Sequence, residues 1–124
     1  GWGRAGETWQ CLDTLAALGG ESWFRLGDRD LAVHLQRSAR LRAGATLSTV
    51  SAELFAAHGI AHRALPMSDQ PVRTLVHCDI GTLAFQHYFV RERCAPRVSG
   101  FSFAGAERAS AAPGVLEALG APDL

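Results

Sequence analysis

The sequence has no lysine; all twelve basic residues among its 124 are arginine. That excludes Schiff-base chemistry and any phosphate-binding loop that depends on Lys. What remains are planar cations, suited to carboxylate or phosphate. An excess of one charge is also lacking: twelve acidic residues balance the arginines. Nothing therefore draws the chain electrostatically to nucleic acid or to an anionic membrane. No apolar run approaches the roughly 20 residues of a membrane span. Cysteine is scarce, and Cys11, Cys78 and Cys94 are an odd set without CxxC spacing. A disulfide framework is not expected, and a reducing, cytoplasmic setting is. Burial as small hydrophobes is the expectation for all three. There is no HExxH and no GxSxG, so neither a zinc-protease site nor a serine elbow is read. The chain opens on Gly1 with no charged-then-apolar leader, which suggests a piece of something longer.

What is present is a globular composition, 48% apolar and 19% charged. The length fits one domain, able to bury roughly two thirds of its unfolded surface. Three helices are predicted first: residues 6–18, stopped by Gly19-Gly20; residues 28–41, capped by Asp28; and residues 47–58, capped by Thr46. The period then switches. Arg63–Met67, Val72–Cys78 and Leu83–Val90 read as strands, with Asp79-Ile80-Gly81 as a hairpin turn. Val98–Phe103 is a fourth strand interrupted by Gly100, and residues 113–119 form a short helix between Pro113 and Gly120. Residues 1–60 are thus a helical segment and residues 61–124 a strand block with a short helix. The class is α/β, without the strand–helix alternation of a complete doubly wound domain. If the parent is a parallel α/β fold, this chain is its middle.

Gly1-Trp2-Gly3-Arg4-Ala5-Gly6 spells GxGxxG, but no strand precedes it, so it is read as a loop. His58 and His62 are four apart across Gly59 and are read as surface histidines. Arg25-Leu26-Gly27-Asp28 carries more. A helix start favours anions, and Arg25 beside it would strengthen an anion site; an Arg25–Asp28 ion pair competes with that reading. On the second helix, Arg29, Arg37 and Arg40 share one stripe, opposite Leu31 and Leu35, and the charged stripe is expected to be solvated. His34 and Ser38 lie at the margin of the apolar face. Met67-Ser68-Asp69 sits at a strand end, where Asp69 either closes a turn or faces a ligand.

Gly1-Trp2-Gly3 with Gly6-Glu7-Thr8-Trp9, Trp23 through Leu31, His34, Arg37, Gly59-Ile60, Leu65 through Asp69, Pro71 through Thr74, Phe85-Gln86 with Tyr88-Phe89-Val90, and Ala112 through Leu116 recur in one order and spacing. In these strings the sequence resembles the 2-phospho-L-lactate transferase (CofD-type) family. The resemblance implies transfer of a phospholactyl or phosphoenolpyruvyl group from a guanosine-diphosphate-type donor to the deazaflavin Fo, in coenzyme F-420 biosynthesis. It implies a Rossmann-like parallel sheet with a helical insertion, a homodimer, and magnesium held by residues outside this chain. It places Arg25, Asp28, His34, Met67, Ser68 and Asp69 at the Fo site, and no catalytic group within the chain. Gln70 and His87 stand where the family usually has Asp, Val33 where Thr is common, and Cys78 in place of a common Thr. A sister family of gluconeogenesis-factor-like, sugar-nucleotide-binding regulators shares the Leu-Pro-x-x-Asp neighbourhood and is the rival reading.

Overall fold

A computed structural model describes residues 4–121. Helix comes first, as the periodicity predicts, and strands follow. Helix α1 spans Gln10–Ala17, α2 Asp28–Arg42 and α3 Leu47–Ala57. Strand β1 spans Arg73–Cys78, β2 Gly81–Ala84 and β3 Val98–Ala104, and α4 spans Val115–Leu119. The α/β class and the order of helical block, hairpin strands and short helix match expectation. The three strands form one antiparallel sheet in the order β2-β1-β3. The parallel sheet implied by the resemblance is not among these strands.

Two predicted strands are corrected. Arg63–Met67 is irregular. It holds Pro66, which has no N–H for a ladder, and its link to the C-terminal segment is a single bond from Ala112 N–H to the Met67 carbonyl, 3.0 Å. The run Leu83–Val90 leaves the sheet after Ala84 and enters a π-helical turn at His87–Arg91. There Phe85 and Phe89, four residues apart, stack with ring centroids 5.6 Å apart. An apolar run this short satisfies either period, and the stacked pair favours the helical one.

The hairpin turn falls where predicted, with Gly81 at φ 123°. Val76 is fully buried at the centre of the sheet, opposite Leu83 on β2 and Phe101 on β3. On the other face His77 bridges the three strands, meeting Thr82 Oγ1 at 3.0 Å and Ser102 Oγ at 2.8 Å.

Packing of α2 follows the expected faces only in part: Arg29 is exposed and Leu31 half-buried, but other positions depart from the pattern. Arg40 grips Glu53 of α3 through two bonds, Nε–Oε2 3.0 Å and Nη2–Oε1 2.8 Å. This pairing holds the Glu53 carboxyl below its usual range. Arg37 is half-buried, while Leu35 is 73% exposed. Such exposure is general. The chain exposes 9314 Å², against about 6,400 Å² for a self-contained globule of this length. The buried apolar side chains among the described residues are Leu12, Val50, Val76 and Ala112, whereas Phe101 and Phe103 are each 58% exposed. The cysteines follow the same pattern. Cys11 and Cys94 are exposed, Cys78 is half-buried and all three are free, so their expected burial is corrected.

Candidate functional site

The predicted site residues fall into two neighbourhoods. The first is the corner between α1 and α2. Gly27, not Asp28, is the N-cap of α2, and Asp28 is its first helical residue. The Asp28 carboxylate turns back to cap α1, whose own N-cap, Trp9, offers no side-chain acceptor. It accepts from Thr8 Oγ1 at 2.6 Å, Cys11 N–H at 2.9 Å and Gln10 N–H at 3.3 Å. Asp28 N–H donates in return to the Thr8 carbonyl, 2.9 Å. The Thr8 hydroxyl foremost, then the Cys11 N–H, lower its pKa below the ordinary carboxylate value.

The sign of the pH effect follows. The folded pKa is depressed, so the contribution is present above the ordinary Asp value of about 3.9 and fades as pH falls through the lowered one. Asp28→Ala is expected to speed amide exchange at Gln10 and Cys11 roughly five-fold near neutral pH, the order of a lost cap. It should also flatten the acid dependence of that exchange. Unchanged exchange would show that Asp28 does not hold α1.

The start of α2, read from sequence as either an anion site or an Arg25–Asp28 ion pair, is crowded by Glu7. Glu7 lies against Gly27 so tightly that a Cβ there would stand 1.9 Å from Glu7 Cδ. Glu7 Oε1 accepts from Thr8 N–H at 3.0 Å, and Oε2 is buried without a partner. Glu7 thus crowds the backbone at Gly27, but no hydrogen bond among the described residues joins its carboxylate to an N–H of α2. Arg25 forms no ion pair with Asp28 among the described residues. Its guanidinium instead stacks on Trp9, 4.5 Å from the ring centroid, while the residue remains exposed. Farther along α2, His34 Nδ1 meets Arg37 Nη2. Arg37 lines a cavity of about 390 Å³ shared with Leu47, Leu54 and His58 of the third helix and its cap.

The second neighbourhood is the loop Met67-Ser68-Asp69-Gln70. Asp69 Oδ1 accepts from both the N–H and the hydroxyl of Ser48, each at 2.7 Å. Asp69 therefore caps α3 from outside, beside Thr46, whose hydroxyl accepts from Thr49 N–H at 3.2 Å. Of the two roles weighed for Asp69, binding backbone N–H is the one seen, on a distant helix rather than in a local turn. Ser68 is buried, and its hydroxyl bonds Gln70 at both the side-chain oxygen, 3.0 Å, and the backbone N–H, 3.1 Å. Met67 is 71% exposed.

Three cavities meet at this loop. One of about 310 Å³ is lined by Leu47, Pro66, Met67, Ser68, Gln70 and Arg73. A second, about 550 Å³, runs from Met67 and Ser68 past Phe103 to Leu116 and Leu119. A third, also about 550 Å³, takes Asp69, His62, Arg63 and Phe55. These volumes are in the range of small-molecule sites. The structure gathers Met67, Ser68 and Asp69 around them. No hydrogen bond or ion pair among the described residues joins Arg25, Asp28 or His34 to that loop.

The donor set does not suit magnesium. No three His, Cys, Asp or Glu side chains converge among the described residues. The carboxylates of Asp28 and Asp69 are already committed to N–H and O–H donors.

Sequence reasoning noted Gln70 only as a departure from the family's Asp and missed its partner Ser110. The Gln70 side-chain oxygen also accepts from Ser110 N–H at 3.0 Å and Ser110 Oγ at 3.2 Å. Nothing local in the sequence signals a bond between residues forty positions apart. Trp23 is a second omission: its ring stacks on His87, centroids 5.5 Å apart, and so links the helical segment to the π-helical turn.

Comparison with known proteins bears on this geometry. The family model described as 2-phospho-L-lactate transferase CofD matches residues 7–124. The chain is 44% identical to a phosphoenolpyruvate transferase of Streptomyces griseus, over all of this chain and 41% of that protein. It is 43% identical to one from Mycolicibacterium smegmatis and 45% identical to one from Kitasatospora aureofaciens, in each case over all of this chain and 40% of the relative. The chain thus spans about two fifths of the length of these curated relatives. With nearly every residue inside the match, the chain belongs to the 2-phospho-L-lactate transferase CofD family.

Proposed function

We propose that the protein carrying this chain transfers a phosphoenolpyruvyl group, or its phospholactyl counterpart, from a guanosine-diphosphate-type donor to the deazaflavin Fo in coenzyme F-420 biosynthesis. The observation that carries this reading is the match of the whole chain to relatives named phosphoenolpyruvate transferase, at 43–45% identity. Their name favours phosphoenolpyruvate as the transferred acid. In the reaction a hydroxyl oxygen of the acceptor attacks the phosphorus that bears the enolpyruvyl group. A new P–O bond forms in line with the one that breaks, guanosine monophosphate leaves, and the hydroxyl proton passes to a base. Magnesium, if bound, would neutralise phosphate charge. The described residues do not fit that ion, whose ligands are expected outside this chain.

The contribution of this chain is part of the acceptor pocket. The Met67–Asp69 loop borders cavities of ligand size, with apolar walls for a flat ring and Arg73 at one rim. Arg25, exposed and held flat on Trp9, offers its free edge to an acceptor carbonyl. Asp28 and Asp69 act indirectly, by fixing the starts of α1 and α3. His34 orients Arg37, which lines the neighbouring cavity between α2 and α3. The protein is taken to work in the cytoplasm and as a homodimer.

Supplying the complete protein with donor, Fo and magnesium should give the coupled product, while residues 1–124 alone give none. In the complete protein Arg25→Ala is expected to raise the Fo KM about ten-fold, roughly 1.4 kcal/mol, and to leave the donor KM unchanged. Tight binding of a nucleotide-linked sugar without turnover would replace this reading by that of a regulator. An unchanged Fo KM would remove Arg25 from the pocket.

A further inference from the structure

Each residue of the Met67–Gln70 loop is tied down, and three of the four ties reach other parts of the chain. The Met67 carbonyl accepts from Ala112 N–H at 3.0 Å. Asp69 holds the start of α3. Ser68 is bonded within the loop to Gln70. Gln70 closes the set, because its side-chain oxygen gathers Ser68 Oγ, Ser110 N–H and Ser110 Oγ within 3.2 Å. The backbone N–H of Ser110 can only donate, so the atom facing it is the amide oxygen and the orientation of the Gln70 amide is fixed. Together with the Ala112 bond, this oxygen fastens the loop to the segment between β3 and α4. Met67 and Ser68 form the wall common to the 310 Å³ cavity and the apolar 550 Å³ cavity. Met67 is 71% exposed and not held by packing. Its position depends on its backbone, hence on the bonds at either end of the loop.

We infer that Gln70 is a positioning residue for the acceptor pocket: it touches no reacting atom, but sets where the Met67–Ser68 wall stands. This rests on the functional reading above and names the residue on which acceptor affinity turns. A wall that moves changes how the acceptor is held, while the reacting phosphate is handled elsewhere. Acceptor KM should therefore change and kcat should not.

The test uses Gln70→Leu, which keeps the approximate shape and removes the acceptor oxygen, and Gln70→Glu, which restores oxygen. In the complete protein Gln70→Leu should raise the Fo KM about ten-fold, with kcat and donor KM within two-fold of the parent. Gln70→Glu should return the Fo KM to within about three-fold. Amide exchange at Ser110 and Ala112 should quicken in Gln70→Leu and recover in Gln70→Glu, a readout that does not depend on which substrate is used. Faster exchange with an unchanged Fo KM would overturn the positioning role while leaving the junction intact. Equal losses in kcat and both KM values would also overturn it, since they report general disruption. A parent protein that transfers nothing to Fo, with the exchange result as expected, would instead fail the functional reading and leave the junction standing.

Discussion

Gly105→Ala is expected to destabilise the fold by about 3 kcal/mol, from a left-handed backbone penalty of 1–2 kcal/mol and a steric one. Gly105 follows β3 at φ 93° and caps the 3-10 turn Ala106–Arg108. A Cβ at this position would lie 2.3 Å from the Pro71 carbonyl oxygen. The obstacle is backbone, which cannot rotate aside as a side chain would. Either β3 shifts or Pro71 retreats, and Pro71 follows the residue that fastens the Met67–Gln70 loop. The damage should thus spread from the sheet edge to the proposed pocket wall. Thermal denaturation of the complete protein, with amide exchange at Ser110 and Ala112, measures both effects. A melting temperature within a degree of the parent would show that the turn gives way cheaply.

The contrast with Gly44 and Gly59 is instructive. Both have positive φ, but a Cβ would meet nothing within 4 Å at either. Gly44 and Gly59 end helices read from the sequence, whereas the sequence reading did not single out Gly105. Only the approach of Pro71, from a segment over thirty residues earlier, makes Gly105 the critical one.

That difference indicates where sequence reading succeeds and where it stops. The helices were legible because local signals agree: Thr46 before an apolar face, Gly44 and Gly59 after the last turns, Gly81 in the hairpin. The two acidic site residues were legible as important but not in their roles. Asp28 and Asp69 look like a cap and a strand-end ligand; Asp28 caps α1 rather than its own helix, and Asp69 caps the start of α3 at Ser48, 21 residues earlier. A helical wheel could not show which face of α2 finds a partner, because Glu53 lies in another helix. The Leu83–Val90 run was read as a strand, and its second half is π-helical, because a run of that length suits both periods. The crowding at the start of α2 has a tertiary cause: Glu7, twenty residues before Gly27, packs against its backbone. The junction at Gln70 depends on a partner forty residues away and left no local trace.

Val76→Asp is expected to have the larger effect, about 4 kcal/mol, because it places an unpaired carboxylate at a fully buried position. That is comparable with the whole stability of many domains. Val50→Asp in α3, at 1% exposure, should cost a similar amount. The two variants need not fail alike. Among the described residues the polar and aromatic links between the helical segment and the strand block are few: Asp69 on Ser48, Trp23 on His87, and Arg91 near Glu21 at 4.0 Å. Each buried apolar side chain sits within one segment, Leu12 and Val50 in the first, Val76 and Ala112 in the second. Residues 1–60 and 61–124 should then open as separate cooperative units. In the complete protein Val76→Asp should abolish amide protection along β1 and β3 and spare α2 and α3, and Val50→Asp should do the reverse. If either substitution removes protection from both segments together, the division fails. The few polar links would then transmit the disturbance, and Asp69, which holds α3 from the proposed pocket loop, would be the first to replace.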